Sequence, residues 1–277
     1  MPELPELELL ESALSEYVVG RKVIAVVIDP KRSFLLRYPA DRFGPDLTGR
    51  VFASVRRLGK FVRFTFEARP DALFVHPMLG GRFAYCSRAA PPLAATCFTF
   101  QLSGGTDLRF LDSSQMARVY LTTEPALDIP TYAEMGPDAL DPDLTYDAFS
   151  ARIAKHRGEL KSLLRNQAVV AGIGNAYSDE ILWHARLNPQ RRLSTLSLED
   201  RHALYDSMRS VLSTSVAIAR DRYARKLHPL HKQDRSFMNI HLKGQAKGKT
   251  SCPRCGHRIS VIHARGAETY FCRGCQK

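Results

Sequence analysis

The sequence predicts an α+β protein with a helix-led β-rich domain, a mostly helical second domain and a small metal-braced ribbon at the C-terminus. Three observations carry this. Between Val23 and Leu121, short apolar runs of strand length follow one another between turn residues. From Tyr146 to about Arg220 the apolar spacing becomes helical. The chain then closes on two CxxC pairs, Cys252-Pro-Arg-Cys255 and Cys272-Arg-Gly-Cys275. A length of 277 residues with 44% hydrophobic residues suffices for two domains with cores of their own. The expected boundaries are 1–125 for the β domain, 126–142 for a linker, 143–235 for the helical domain and 236–277 for the ribbon.

The first element is a helix, because Leu7, Leu10, Leu14 and Val18 recur at helical spacing within Glu3 to Val18. Eight strands are expected next: 22–28, 51–55, 61–66, 72–75, 82–85, 97–102, 108–111 and 118–121. That number around one helix implies a sandwich or a barrel-like sheet. Pro91 and Pro92 between Arg88 and Ala94, and prolines with Gly136 from Pro125 to Pro142, mark loops or a linker. Helices are expected over 146–155, 159–164, 176–185 and 197–220, the last capped by Ser197 with Asp200 three positions on.

Sixteen residues separate the two CxxC pairs, a spacing that suits one tetrahedral zinc site. Four thiolates would close the shell, so Cys252, Cys255, Cys272 and Cys275 would hold one structural Zn²⁺ with no open position for chemistry. A disulfide pair is the alternative, disfavoured because Cys86 and Cys97 stand isolated and no secretory signal precedes them. The intervening residues alternate enough to form a hairpin with Ala264 to Ala267 at its tip. Charge suggests its purpose. Of the formal +12, residues 220–277 contribute +11, with fourteen Lys or Arg against Asp221, Asp234 and Glu268. A basic excess around a metal module is the footprint of a polyanion-binding surface. No apolar stretch spans a membrane, so nucleic acid is the expected partner and the protein is expected to be intracellular and monomeric.

Two further motifs carry chemistry. Removal of Met1 would leave Pro2 as a secondary α-amine, partly unprotonated near neutrality and able to attack an electrophilic sugar carbon. Glu3 and Glu6 lie within one helical turn of it, placed for proton transfer, although Pro and Glu at a helix start are also ordinary capping chemistry. In Gln167-Ala-Val-Val-Ala-Gly-Ile-Gly-Asn-Ala-Tyr-Ser-Asp-Glu180, Gly172 and Gly174 permit a tight turn and Asn175 opens a helix. Such a start seats a phosphate, and it is equally a common structural connection.

Met1-Pro-Glu-Leu-Pro-Glu-Leu-Glu, Leu58-Gly-Lys60, the Gln167 to Glu180 segment and the terminal cysteine pairs, in this order, resemble the formamidopyrimidine-DNA glycosylase and endonuclease VIII family, and its formamidopyrimidine branch more closely. The resemblance runs from the first residue to the last. It implies an N-terminal β-sandwich, a helix-two-turn-helix domain and a zinc ribbon, with damaged double-stranded DNA bound in the cleft between domains. Pro2 then matches the nucleophile that attacks C1′ and forms a Schiff base, Glu3 the proton shuttle, Glu6 a carboxylate near the flipped base, and Lys60 and Asn175 the phosphate clamp. The implied activity is that of a base-excision repair glycosylase and abasic-site lyase, cutting by β,δ-elimination. His76 joins the expected DNA-binding residues. Neither it nor His241 is given a catalytic role.

The departures from the family pattern bear on specificity. Members usually carry an arginine five residues before the third cysteine, where this chain has Ala267, and Arg265 is the expected substitute. The void-filling positions read Leu79 and Met116, and Ser114 stands where an arginine that meets the orphan base is usual. Lys243 begins a run of lysines that either contacts phosphate or is solvated. These differences keep open an alternative: a protein that binds damaged or abasic DNA with lyase activity alone, or with no efficient base excision.

Overall fold

The computed structural model describes residues 1–223, 236–244, 250–264 and 267–277. The chain divides into two compact units. One comprises residues 1–133 with the segment beginning at Ala219, and the other residues 134–218 with the C-terminal segment.

The first unit opens with α1 (Leu4–Val18), whose buried stripe includes Leu7, Leu10, Leu14 and Val18. Eight strands follow: β1 (Val23–Ile28), β2 (Phe52–Leu58), β3 (Phe61–Phe66), β4 (Ala72–His76), β5 (Gly81–Ser87), β6 (Thr96–Leu102), β7 (Thr106–Asp112) and β8 (Arg118–Thr122). They form two antiparallel four-stranded sheets, ordered β1-β6-β7-β5 and β2-β3-β4-β8. Alternation along each strand sends phenylalanines inward from both sheets. Phe52 lies 5.7 Å from Phe100, and Phe64 5.7 Å from Phe83, each pair spanning the two sheets. The architecture is therefore a sandwich, the first of the two expected alternatives. Each fully buried phenylalanine contributes roughly 1.5–3 kcal/mol, so these rings account for much of the cohesion between the sheets.

Several short elements do not follow from the apolar spacing. A 3-10 helix at Pro30–Leu35 and α2 (Ala40–Leu47) cross between β1 and β2. α2 starts after Pro39 and carries Pro45 inside it, which conceals a helix, yet its Phe43 and Leu47 are fully buried. α3 (Pro125–Asp128) is a single turn after β8.

The second unit contains α4 (Tyr146–Ile153), α5 (Leu160–Arg165), α6 (Asn175–His184) and, up to Ile218, most of α7 (Leu198–Tyr223). Thr145 Oγ1 caps α4 by accepting from Ala148 N–H, and Ser197 Oγ accepts from Asp200 N–H at the start of α7. α6 is buried almost throughout, polar residues included. The hairpin β9 (Ser260–Ala264) and β10 (Ala267–Phe271) pairs Ala264 with Ala267, as the alternation predicts. Ahead of the first cysteine lies α8 (His241–Gly244), a single helical turn. The Glu180 carboxylate supports it, accepting from the N–H groups of Asn239, Ile240 and His241 at 2.7–2.8 Å and so satisfying donors at a helix start.

Candidate active site

In the first unit the chemistry collects at the beginning of α1. Glu6 Oε2 accepts from Glu3 N–H at 2.8 Å, and the Glu3 carboxylate caps the Glu6 N–H in return. This reciprocal box satisfies two orphan donors of the helix and fixes both carboxylates beside Pro2, which is buried with them. With Met1 attached the Pro2 nitrogen is an amide. Without Met1 it is a secondary amine, one residue before Glu3 and four before Glu6.

Lys60 sits in the two-residue turn joining β2 and β3, where Gly59 takes φ +55°. Lys60 is buried, and its ammonium acts on His76. Burial first, then the positive charges of Lys60 and Arg118, push the His76 imidazole down to about 4. His76 is therefore neutral at pH 7. Its Nδ1 accepts from Met78 N–H at 3.1 Å, and Phe61 meets its ring edge-on at 4.9 Å.

Beyond His76 the chain turns sharply, closed by a 2.8 Å bond from Gly81 N–H to Pro77 O. Leu79 projects from this turn with 56% of its surface exposed. A second turn follows β7, organised by the fully buried Asp112. Its carboxylate accepts from Ser114 N–H, Ser114 Oγ–H, Met116 N–H and Ala117 N–H at 2.6–2.8 Å. Met116 projects from this turn, 44% exposed. The turns touch at Gly80, where a Cβ would lie 2.7 Å from Asp112 Oδ1 and 2.9 Å from Ser114 Oγ. Only glycine permits that approach.

In the second unit, Asn175 is the first residue of α6, following a turn that Gln167 clamps. Gln167 Nε2 donates to Arg165 O and Ile173 O, and its Oε1 accepts from Gly172 N–H. Gly172 requires its glycine, at φ +101°, whereas Gly174 does not adopt the left-handed conformation. Asn175 Nδ2 donates to Glu268 O at 3.0 Å, and its buried Oδ1 has no hydrogen-bond partner among the described residues.

Beneath Asn175 lies a buried ionic cluster missing from the sequence-based site. Lys161 Nζ donates to Asp179 Oδ1 at 2.6 Å and to Glu268 O at 3.1 Å. Asp179 Oδ2 lies 2.7 Å from His241 Nδ1 and accepts from Tyr270 N–H. His241 thus serves a local hydrogen bond. The available signal was Lys161 within the apolar stripe of Leu160, Leu163 and Leu164, since a lysine buried on a helix requires a partner. Its partner, eighteen positions later, carries no such mark.

The four sulfur atoms of Cys252, Cys255, Cys272 and Cys275 all lie within 4.8 Å of one another. With Zn–S near 2.3 Å, a tetrahedron has S···S edges of about 3.8 Å. The Cys252–Cys275 and Cys255–Cys272 separations, 3.7 and 3.3 Å, fit a single ion that draws the sulfurs into register. Outer contacts orient the ligands: Trp183 Nε1 donates to Cys252 Sγ at 3.3 Å, and Gln276 Oε1 accepts from Cys272 N–H. Gln276 Nε2 and Lys277 N–H donate to Leu187 O and Arg186 O, so the ribbon's end is bonded to the loop after α6. Of the remaining expected DNA contacts, Arg265 and the Lys243 side chain lie outside the described residues, and Ala267 begins β10.

Comparison with known proteins gives a consistent pattern. Residues 1–119 match the model of the formamidopyrimidine-DNA glycosylase N-terminal domain, and residues 135–226 that of the formamidopyrimidine-DNA glycosylase H2TH domain. The formamidopyrimidine-DNA glycosylase of Desulfitobacterium hafniense is 31% identical over the full length of both chains. That of Symbiobacterium thermophilum is 32% identical over all of this chain and 89% of its own. Among solved structures, the Lactococcus lactis enzyme in complex with abasic-site DNA superposes with a TM-score of 0.87 at 25% identity, covering 99% of each chain. The same enzyme with DNA containing an oxidised pyrimidine gives 0.87 over the full length of both.

Proposed function

This chain belongs to the formamidopyrimidine-DNA glycosylase family, and from that premise we propose that it excises damaged bases from double-stranded DNA and cleaves the resulting abasic site through Pro2. The observation that carries the proposal is the reciprocal cap at the start of α1, which holds Glu3 and Glu6 in fixed, buried positions in the turn that follows Pro2.

The reaction follows from what these groups supply. The lone pair of the Pro2 amine forms a bond to C1′ while the glycosidic C1′–N bond breaks, its electron pair leaving with the base, which takes up a proton. The N–H proton of the new Pro2 ammonium passes to a carboxylate, and the freed lone pair opens the ring as Glu3 donates a proton to the ring oxygen, giving an iminium at Pro2. Loss of a C2′ proton to a carboxylate then expels the 3′ phosphate. Covalent catalysis of this kind divides one hard displacement into easier steps. Lys60, an ammonium in a glycine-permitted turn, and Asn175, whose Nδ2 carries a second N–H and which opens α6, are assigned to the phosphates beside the lesion. Leu79 and Met116 are assigned to the emptied stack, because a base extruded to reach Pro2 leaves a gap that apolar side chains fill. Cys252, Cys255, Cys272 and Cys275 are assigned one Zn²⁺. With four protein ligands its contribution is structural.

The test is incubation with duplexes carrying one modified base or one abasic site, resolved on a denaturing gel. Strand scission at both the modified base and the abasic site is expected. Scission at the abasic site alone, across a panel of oxidised purines and pyrimidines, would establish the lyase-only alternative. No scission at either would overturn the assignment.

A further inference from the structure

The two turns that present Leu79 and Met116 share an unusual backbone. In each, a non-glycine residue is held in the left-handed region immediately before the exposed apolar side chain: Met78 at φ +49° precedes Leu79, and Gln115 at φ +55° precedes Met116. Such conformations are unfavourable for an L-residue and persist only where the surroundings impose them. Here the surroundings do so, through the four hydrogen bonds to Asp112, the Pro77–Gly81 closure and the contact at Gly80. β5 and β7 anchor both turns at one end of the sheet, where Gly81 pairs with Asp112. The result is a preformed pair of apolar knuckles with a polar residue at the tip of the second.

That polar residue is not Ser114. Both the Ser114 N–H and its hydroxyl are committed to Asp112 Oδ1, and the residue is half-buried. Gln115 is exposed, directly adjoins Met116, and its carboxamide has no hydrogen-bond partner among the described residues. We propose that Gln115 is the residue that inspects the base left unpaired when the damaged nucleotide is extruded, while Leu79 and Met116 hold the gap open. The inference rests on the reading of the protein as a damaged-DNA enzyme.

The chemistry predicts how it reads. A carboxamide presents one acceptor and one donor side by side. Adenine and cytosine each offer an amino donor beside a ring-nitrogen acceptor. Guanine and thymine each offer a carbonyl acceptor beside an imino donor. Rotating the amide by 180° matches either arrangement, so Gln115 engages any of the four orphan bases. An arginine offers donors only and would favour cytosine, whose N3 and O2 are adjacent acceptors, over adenine with its single ring acceptor on that edge. The protein should therefore accept its lesion opposite any base.

The experiment measures binding of the full chain to four duplexes that carry a tetrahydrofuran abasic analogue opposite A, C, G or T, with an intact duplex as reference. The wild type should bind all four within a few-fold of one another. Gln115→Ala should weaken binding to all four, by about fivefold or more for each, given the usual worth of a paired base-edge contact. Gln115→Arg should create a preference for cytosine of similar size. Gln115→Gly separates reading from strain: it relieves the left-handed backbone, so a structural role predicts binding at least as tight as wild type, and a reading role predicts the loss seen with alanine. Unchanged affinities for Gln115→Ala and Gln115→Gly, with the analogue still preferred over intact duplex, would overturn the assignment of Gln115 alone. No preference for the analogue in the wild type would overturn the damaged-DNA reading on which it depends.

Discussion

Single residues here are held by their neighbours more tightly than their sequence context suggests. His76 is the clearest case. Its imidazole titrates near 4 in the fold, and a solvated histidine near 6.5. As pH falls below 6.5, the unfolded chain takes up a proton that the folded protein refuses until about 4, so this group's contribution is present above 6.5 and is lost across that window. Up to about 3 kcal/mol is at stake. Thermal midpoints measured from pH 7.5 to 4.5 should therefore fall less steeply for His76→Gln than for wild type, and parallel profiles would contradict the assignment. Lys161 acts through the same economy of buried charge. Lys161→Met leaves Asp179 without its cation in a site closed to water, which typically costs 3–5 kcal/mol. Urea denaturation should show a loss of that order. A loss under about 1 kcal/mol would mean that His241 alone satisfies Asp179.

Among the elements, those with a regular apolar period were legible in the sequence, and those made by tertiary contacts were not. All eight strands of the sandwich and the four principal helices of the second unit follow from spacing, because each turns one apolar face to a core. α2 was concealed by its two prolines, and α8 by its dependence on a carboxylate sixty positions away. The site divides in the same way. Pro2, Glu3, Glu6, Asn175 and the cysteines stand in local motifs. The Asp112-centred turn and the Lys161 cluster are products of long-range packing, and Gln115 is distinguished only once Ser114 is seen to be occupied. The ribbon offers the element-scale test. Its hairpin is small and its core includes the cysteines themselves, with Trp183, Ile259 and Tyr270 around them. Metal analysis should find one zinc per chain. A strong chelator should abolish DNA binding at temperatures where the sandwich remains folded. Retained affinity in zinc-free protein with four free thiols would rule out a structural metal.

At the scale of the whole molecule, the family relationship extends from end to end. A shared scaffold establishes neither the lesion nor the chemistry at a given site. Everything in the proposed mechanism depends on an amine at Pro2 beside the capped carboxylates, and that dependence is directly measurable. The protein is incubated with duplex DNA containing one abasic site, reduced with borohydride, and the adduct is digested and mapped by mass spectrometry. The account predicts one covalent adduct per chain, on Pro2 of a protein lacking Met1, and severe loss of trapping in Pro2→Gly with its thermal midpoint retained. An adduct mapped to Lys60, or undiminished trapping by Pro2→Gly, would contradict it.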